Sequence, residues 1–197
     1  MANKKFTGLP QADTITGAEI LAMVQDGGSV QGDIDLIKAY FDTLYAPAVK
    51  YAKLSDTKAA NTNGGGLSSG SWVTRTINTE DTDPDGIVSI SSNQFTLQAG
   101  TYRIYATAPA AFVFRHKIKL RNTTDSADTL IGQSAFASAT YEGHTISTLS
   151  GQFTIAGAKA FEIQHRVQIT SGTYGGGIES NFSVSEVYTV VEIWKVS

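Results

Sequence analysis

Two of the three histidines of this chain lie in stretches where apolar and polar residues alternate. His116 shares one face of a predicted strand with Ile118, and His165 shares a face of another with Ile163. Imidazole is a common zinc ligand, yet a two-histidine site needs neighbouring strands, and no carboxylate shares these faces to complete it. We therefore expect hydrogen-bonded histidines buried in the core or in an interface, with no metal and no cofactor.

The most concentrated charge in the chain is a ladder of cations at every second position: Arg115, Lys117, Lys119 and Arg121. On one face of one strand, such a ladder could hold anionic sugars, phosphate or an acidic partner surface. The alternative is a solvated outer face whose cations pair across the sheet with acidic residues such as Glu162. The sequence favours this second interpretation, and both remain open.

A third candidate site is the acidic stretch Asp81-Thr-Asp83-Pro-Asp85-Gly86. It matches the first half of a calcium-binding loop, with carboxylates at positions one, three and five and glycine at six. The closing glutamate is missing, because Ser92 occupies position twelve. A polar turn is therefore the favoured interpretation, with weak calcium binding as the alternative.

The remaining composition excludes several classes of function. The chain has no cysteine, which excludes disulfides, zinc–thiolate sites and cysteine nucleophiles. The glycine-rich run 172–177 lacks the Gly-Lys-Ser/Thr of a phosphate loop, and no Gly-x-Ser-x-Gly or His-Glu-x-x-His motif appears in a convincing context. A net charge of −3 argues against nucleic acid, and no apolar run reaches the roughly 20 residues of a membrane span. We expect no enzymatic activity, and the first residues do not resemble a secretory signal.

The elements that would position these residues are mostly strands. From Trp72 onward the hydrophobic pattern has a period of two, interrupted by turn signals such as Pro84-Asp85-Gly86, and it predicts an antiparallel β-sandwich or jelly roll. The predicted strands are 72–78, 87–90, 94–97, 101–108, 112–121, 129–137, 146–155, 161–169 and 184–196. The last of them is apolar on both faces, which indicates a central strand or one buried against another subunit.

The N-terminal part predicts a small α+β module over residues 1–52. Residues 16–28 either start a helix through the Thr16–Glu19 capping box or form a hairpin around Asp26-Gly27, and we favour the hairpin. Residues 33–44 have the spacing of an amphipathic helix. Residues 53–71 are rich in Gly, Ser and Asn, which predicts a flexible linker before a compact domain over 72–197.

Four segments of the sequence resemble the C-terminal domain of phage fibre and virion-decoration proteins. That domain is similar to the trimeric C1q/TNF-like jelly roll. They are NQFTLQAGTYRIYATAPA, RHKIKLRNTTD, GQFTIAGAKAFEIQHRV and EVYTVVEIWKV, and the resemblance covers about Trp72 to Ser197. The N-terminal phrase TGAEILAMVQDGGSVQGDIDLIKAYF resembles the short module that attaches many phage tail and head fibres to the particle. The phage fibres often carry a shaft, which is replaced here by the predicted linker.

The resemblance implies a homotrimeric head or tail fibre, located in the virion and bound to a capsid, collar or tail protein. Its jelly-roll knob would adhere to a host cell-surface glycan or protein. The alternatives are a capsid decoration protein without receptor binding and a carbohydrate-binding module. The expected trimer interface is Tyr188, Val190, Val191, Ile193 and Trp194; the expected attachment residues are Ile20, Val24, Ile34, Ile37, Phe41 and Leu44; and the expected ligand surface adds Tyr141 and Tyr174 to the basic ladder.

Overall fold

The computed structural model describes residues 20–25, 28–33, 49–141 and 143–196. The chain divides into two compact units, Met1–Pro47 and Ala48–Ser197. The second unit contains the strands of the predicted jelly roll together with one further N-terminal strand, and it carries the ladder and both buried histidines.

The N-terminal unit contains a β-hairpin. Strand β1 (Ile20–Gln25) pairs antiparallel with β2 (Gly28–Asp33), so that Gln25 faces Gly28 at the turn. The hairpin interpretation is therefore confirmed over these residues, and the competing helix is wrong there. Ile20 and Val24 lie in β1, whereas the predicted helix beyond Asp33, with Ile34, Ile37, Phe41 and Leu44, lies outside the described residues.

The C-terminal unit is an all-β sandwich in the residues described. Its strands are β3 (Lys50–Lys58), β4 (Val73–Thr74), β5 (Thr79–Thr82), β6 (Val88–Ser91), β7 (Gln94–Leu97), β8 (Gly100–Ala111), β9 (Phe114–Asn122), β10 (Ala127–Ala137), β11 (His144–Ile155), β12 (Lys159–Val167) and β13 (Glu186–Lys195). A six-stranded sheet has the order β10-β9-β12-β7-β6 with β4 also paired to β12, and a five-stranded sheet has the order β11-β8-β13-β3-β5. All the pairings are antiparallel, as predicted.

The core lies between these two sheets and is held by aromatic side chains. Phe161 is fully buried, and its ring lies 5.9 Å from Phe95 and 5.2 Å from Phe153. Alternation along each strand places one residue in two on this inner face, as the period-two pattern predicts. Burial of each such side chain contributes about 1.5–3 kcal/mol relative to an exposed position, so this cluster is a major source of stability.

The predicted linker over residues 53–71 is wrong in its first third. Strand β3 pairs with β13 on one side and β5 on the other, and its Ala52 and Leu54 are fully buried. Small and polar residues make up most of this strand, so its composition is that of a linker although alternate side chains face the core. The unit boundary falls after Pro47, earlier than the predicted boundaries at residues 52 and 71.

The glycine-rich remainder of that segment also packs against the sandwich. Leu67 exchanges backbone hydrogen bonds with Ser171, and the Gly64 N–H donates to the Gly177 carbonyl. A Cβ atom at Gly66 would lie 2.5 Å from the carbonyl oxygen of Gly172. Glycine is needed here because two backbone segments are in direct contact, and not for flexibility.

Strand β9 begins two residues later than predicted. Phe112 and Phe114 both have φ of +58°, a conformation that non-glycine residues rarely adopt. This irregularity shifts the alternation, so Val113 is fully buried where the pattern predicts an outward position. From His116 onward the predicted inner face, with Ile118 and Leu120, is confirmed.

Candidate functional site: a cationic groove on the six-stranded sheet

Strand register places the basic ladder on the outer face of the six-stranded sheet, where it forms transverse rows with the neighbouring strands. Arg166 of β12 and Ser134 of β10 lie on either side of Lys117. Next to this row, Arg115 lies opposite Phe136, and its guanidinium donates to the Gln168 side chain at 3.3 Å. These rows form an open groove of about 540 Å³, here called the cationic groove, whose walls include Trp72, Arg115, Lys117, Ser134, Arg166 and Gln168.

The other half of the ladder is neutralised. The Asp128 carboxylate on β10 lies 2.8 Å from the Lys119 ammonium and 2.9 Å from the Arg121 guanidinium. The hydrogen bond from Lys119 is the main reason that the pKa of Asp128 lies below its usual value. The expected pairing with Glu162 is wrong, because that carboxylate instead accepts hydrogen bonds from Gln94 and Gln164. Pairing with an acidic residue therefore describes Lys119 and Arg121 alone, and Lys119 is buried and not solvated.

Three cations of the groove have no such partner. Within the described part of the chain, no carboxylate lies within ion-pair distance of Arg115, Lys117 or Arg166. The chain as a whole carries a net charge of −3. A locally positive groove on an acidic protein concentrates the positive potential in one place, which favours an anionic ligand there.

Trp72 completes the groove on the side of β4. It precedes Val73, which pairs with His165 of β12, and the indole reaches across the sheet so that the Lys119 ammonium lies 4.3 Å from its ring centroid. This cation–π contact fixes the ring in place. Sequence analysis assigned Trp72 only to a strand, and it did not identify Arg166, because neither residue is near the ladder in sequence.

Beneath the groove, the inner face carries the two histidines. The His116 Nδ1 and His165 Nε2 atoms are 2.9 Å apart, and the His116 Nε2 atom lies 2.8 Å from the Thr145 hydroxyl. The prediction of buried, hydrogen-bonded histidines is confirmed. Burial and the nearby Arg75 guanidinium lower the pKa of His116 to about 4 and hold that of His165 well below its usual value. Both rings are therefore neutral near pH 7.

The acidic stretch forms a polar turn. Both oxygens of Asp83 accept backbone hydrogen bonds at 2.9 Å, from Ile87 and Val88. Asp81 accepts a hydrogen bond from Ser55 and lies 3.7 Å from the Lys53 ammonium. These contacts occupy two of the three carboxylates of the predicted calcium loop. Nowhere in the described ranges do three or more histidine, aspartate or glutamate side chains form a group that could hold a metal.

Two tyrosines of the expected ligand surface lie at one end of the sandwich. Tyr174 packs on Phe112 with ring centroids 5.7 Å apart, and the Gly175 carbonyl accepts a hydrogen bond from Ala111 at the end of β8. Tyr141, 76% exposed, precedes β11, whose first residue pairs with Ala111. Phe112, Tyr141 and Tyr174 are here called the aromatic end.

The chain enters and leaves the sandwich at the opposite end. Lys50 at the start of β3 faces Lys195 at the end of β13, and the Val196 N–H donates to the Thr101 carbonyl at the start of β8. Strand β8 has 12 residues and spans the whole distance. At a strand rise of about 3.4 Å per residue, the two ends are about 35–40 Å apart.

The expected trimer interface divides between two environments. Val191 and Ile193 are fully buried in the sandwich core, and Tyr188 is buried with its hydroxyl bonded to the Thr62 carbonyl, so these three are wrong as contact residues. Strand β13 is the central strand of its sheet, and its inner face, with Val191 and Ile193, lies in the core. Val190 and Trp194 lie on its outer face and remain partly exposed.

Comparison with known proteins supports the fold. No family model and no curated sequence matches the chain. Among solved structures, the Eiger TNF from S. frugiperda aligns with a TM-score of 0.52 at 9% identity, covering 76% of this chain and 93% of that chain. The fold is a TNF-like jelly roll. Murine APRIL (TM-score 0.46, 9% identity) and the globular domain of zebrafish complement 1qA (0.46, 16%) also align, each over 75% of this chain and 98% and 97% of theirs.

The jelly-roll prediction is thus confirmed by a structure with very little sequence similarity. In the part of the chain that the structure describes, no helix is long and apolar enough to cross a membrane.

Proposed function

We propose that this chain is a structural protein of a bacteriophage virion, namely a short homotrimeric head or tail fibre without enzymatic activity. The region before Ala48 attaches it to a capsid, collar or tail protein, and the jelly roll is displayed for adhesion to the host surface. The proposal combines the TNF-like fold with the resemblance of both chain segments to phage fibre modules.

The observation that carries the proposal is the position of the chain ends in the jelly roll. The polypeptide enters at Lys50, and the aromatic end lies about 35–40 Å away along β8. A knob held through the start of β3 therefore presents Tyr141 and Tyr174 at the end of the sandwich opposite Lys50. Several knobs on one particle convert weak single contacts into useful avidity.

Self-association is supported by the outer face of the five-stranded sheet. Tyr51 and Trp194 pack there with ring centroids 5.4 Å apart, and Tyr105 is 39% exposed. A second groove of about 550 Å³ lies between Tyr105, Trp194 and Val49. Partly exposed aromatics on a rigid sheet are typical of protein–protein interfaces, and we assign the trimer contact to this face.

The solution mass tests the proposal directly. Light scattering after size-exclusion chromatography should give three times the chain mass of 20.9 kDa for the full chain. The fragment 48–197 should also be trimeric, since it retains β3 and the whole outer face. Replacing Trp194 by Ala should weaken the trimer, whereas Ile131→Ala, at an exposed apolar position on the other sheet, should not. A monomeric fragment and full chain would overturn the trimer.

Deleting the gene from a phage that carries this chain separates adhesion from capsid decoration. If the chain is an adhesive fibre, particles without it should be intact but adsorb poorly to the host. If it is a decoration protein, particles should adsorb normally but rupture at a lower temperature.

A further inference from the structure

The cationic groove contains charges that the fold does not use. Lys119 and Arg121 share Asp128, but Arg115, Lys117 and Arg166 have no carboxylate partner among the described residues. Three cations placed together repel one another, so their grouping costs stability unless an anion is bound. Neutral residues would fit at these exposed sheet positions, so the fold itself does not require the three charges.

The spacing of these cations defines the ligand. Arg115 and Lys117 are two residues apart on β9, which corresponds to about 7 Å along the strand, and Arg166 lies beside Lys117 on the neighbouring strand, about 5 Å away. The three cations are therefore spread over a patch that an extended molecule, with anionic groups several ångströms apart, can span.

The neutral side chains of the groove indicate the rest of the ligand. Ser134 carries a hydroxyl, and Gln168 an amide, in the same two rows as the cations, where they suit hydroxyl groups. Trp72 supplies an aromatic wall held by Lys119, suited to the C–H face of a pyranose ring. Cations, neutral hydrogen-bonding groups and one aromatic wall together fit a sugar that bears acidic groups.

We infer that the cationic groove binds an acidic oligosaccharide, a chain of sugars bearing carboxylate, sulfate or phosphate groups. Arg115, Lys117 and Arg166 contact the anionic groups, Ser134 and Gln168 the hydroxyls, and Trp72 a ring face. Single-stranded nucleic acid is a different class that also combines anions with rings. It suits this groove less well, because one aromatic and three cations on an acidic chain form a poor binding track. The inference rests on the proposed adhesion, and it adds the cationic groove, with its ligand class, to the aromatic end as a contact surface.

The test measures binding of a heparin-derived sulfated tetrasaccharide to the full chain by isothermal titration calorimetry. Maltotetraose, sodium sulfate and an oligothymidylate of similar length are titrated in parallel. We expect the sulfated tetrasaccharide to bind more tightly than the other three, and more weakly when NaCl is raised from about 0.05 M to about 0.5 M. Equal binding of maltotetraose or sulfate, tighter binding of oligothymidylate, or no binding at all would overturn the inference.

A matched set of charge removals on one strand locates the site. Lys117→Gln and Arg166→Gln should each weaken binding about tenfold, because each removes one charge-assisted contact. Arg121→Gln removes the same charge from the same face of β9, but at a position about 13 Å from Lys117 along the strand. Because Arg121 is already paired with Asp128, this variant should change binding less than twofold. Equal losses in all three variants would show that only net charge matters and would overturn the site.

Trp72→Ala should also weaken binding of the tetrasaccharide, while the circular dichroism of the chain stays unchanged. Light scattering of the same samples keeps this inference distinct from the fibre proposal. A trimer that does not bind would refute the groove alone, whereas a monomer that binds would refute the trimer and leave the groove standing.

Discussion

Acidification should destabilise the folded chain through the histidine pair before it affects the carboxylates. His116 has a pKa of about 4 when folded and an ordinary value of 6.5. Because the folded value is lower, the unfolded chain binds protons first as the pH falls. Stability is therefore complete above about pH 6.5 and declines towards pH 4. At about 1.4 kcal/mol per pKa unit, His116 alone accounts for a loss of about 2 kcal/mol at about pH 5, and His165 adds a loss of the same sign.

Urea unfolding followed by circular dichroism, at fixed protein concentration between about pH 7.5 and pH 5, measures this loss. The pKa values of Asp125 and Asp128 lie below 3.8, and that of Glu186 lies below 4.5. These carboxylates therefore lose their contribution to the free energy of unfolding at a lower pH than the histidines do, and they do not interfere with the measurement.

The double variant His116→Gln and His165→Gln keeps hydrogen-bonding groups without a titrating ring. Its free energy of unfolding should be nearly constant over the same range, whereas His144→Gln, at an exposed position, should retain the loss. The reasoning is refuted if the original chain shows no acid loss over this range, or if the double variant loses stability as steeply.

Three further changes test the packing and the turn. Phe161→Ala should reduce the free energy of unfolding by about 3–5 kcal/mol in urea titrations, and Phe182→Ala, at a position that is 79% exposed, by less than about 0.5 kcal/mol; similar losses would contradict the described core. Gly66→Ala should lower the melting temperature, since its Cβ would lie 2.5 Å from the Gly172 oxygen, and an unchanged value would show that the contact yields easily. Asp83→Ala should cost about 1–2 kcal/mol by freeing two backbone donors, and millimolar calcium should stabilise neither form; stabilisation of the original chain alone would restore the calcium site.

Sequence periodicity was sufficient to predict the sandwich, because alternation along a strand reports which side chains face the core. It failed for β3, where Ala52 is small and Asp56 is a buried polar residue, so the strand resembles a linker in composition. It also failed at the start of β9, where the positive φ values of Phe112 and Phe114 reverse the alternation. These failures arise where local composition or backbone geometry differs from that of an ordinary strand.

The site was predicted only in part, because a ladder on one strand says nothing about its neighbours. Asp128 neutralises Lys119 and Arg121, and Arg166 extends the groove, through a register that only the folded sheet defines. The same limit applies to β13, because the sequence of a strand with two apolar faces does not show which face lies in the sandwich core. Pairing between strands distant in sequence therefore decides which charges remain available to a ligand.

The position of β3 determines how the jelly roll responds to mechanical force. A pull on the chain before Lys50, opposed by a ligand held at the aromatic end, acts along the axis of β3. That strand pairs with β13 from Lys50 opposite Lys195 to Lys58 opposite Glu186, and with β5 on its other side. The load is then shared by both rows of interstrand hydrogen bonds in shear, and they must break together, not one after another as in peeling. A tether attached at Lys50 therefore lets the domain resist tension through β3, the strand whose composition predicted a linker.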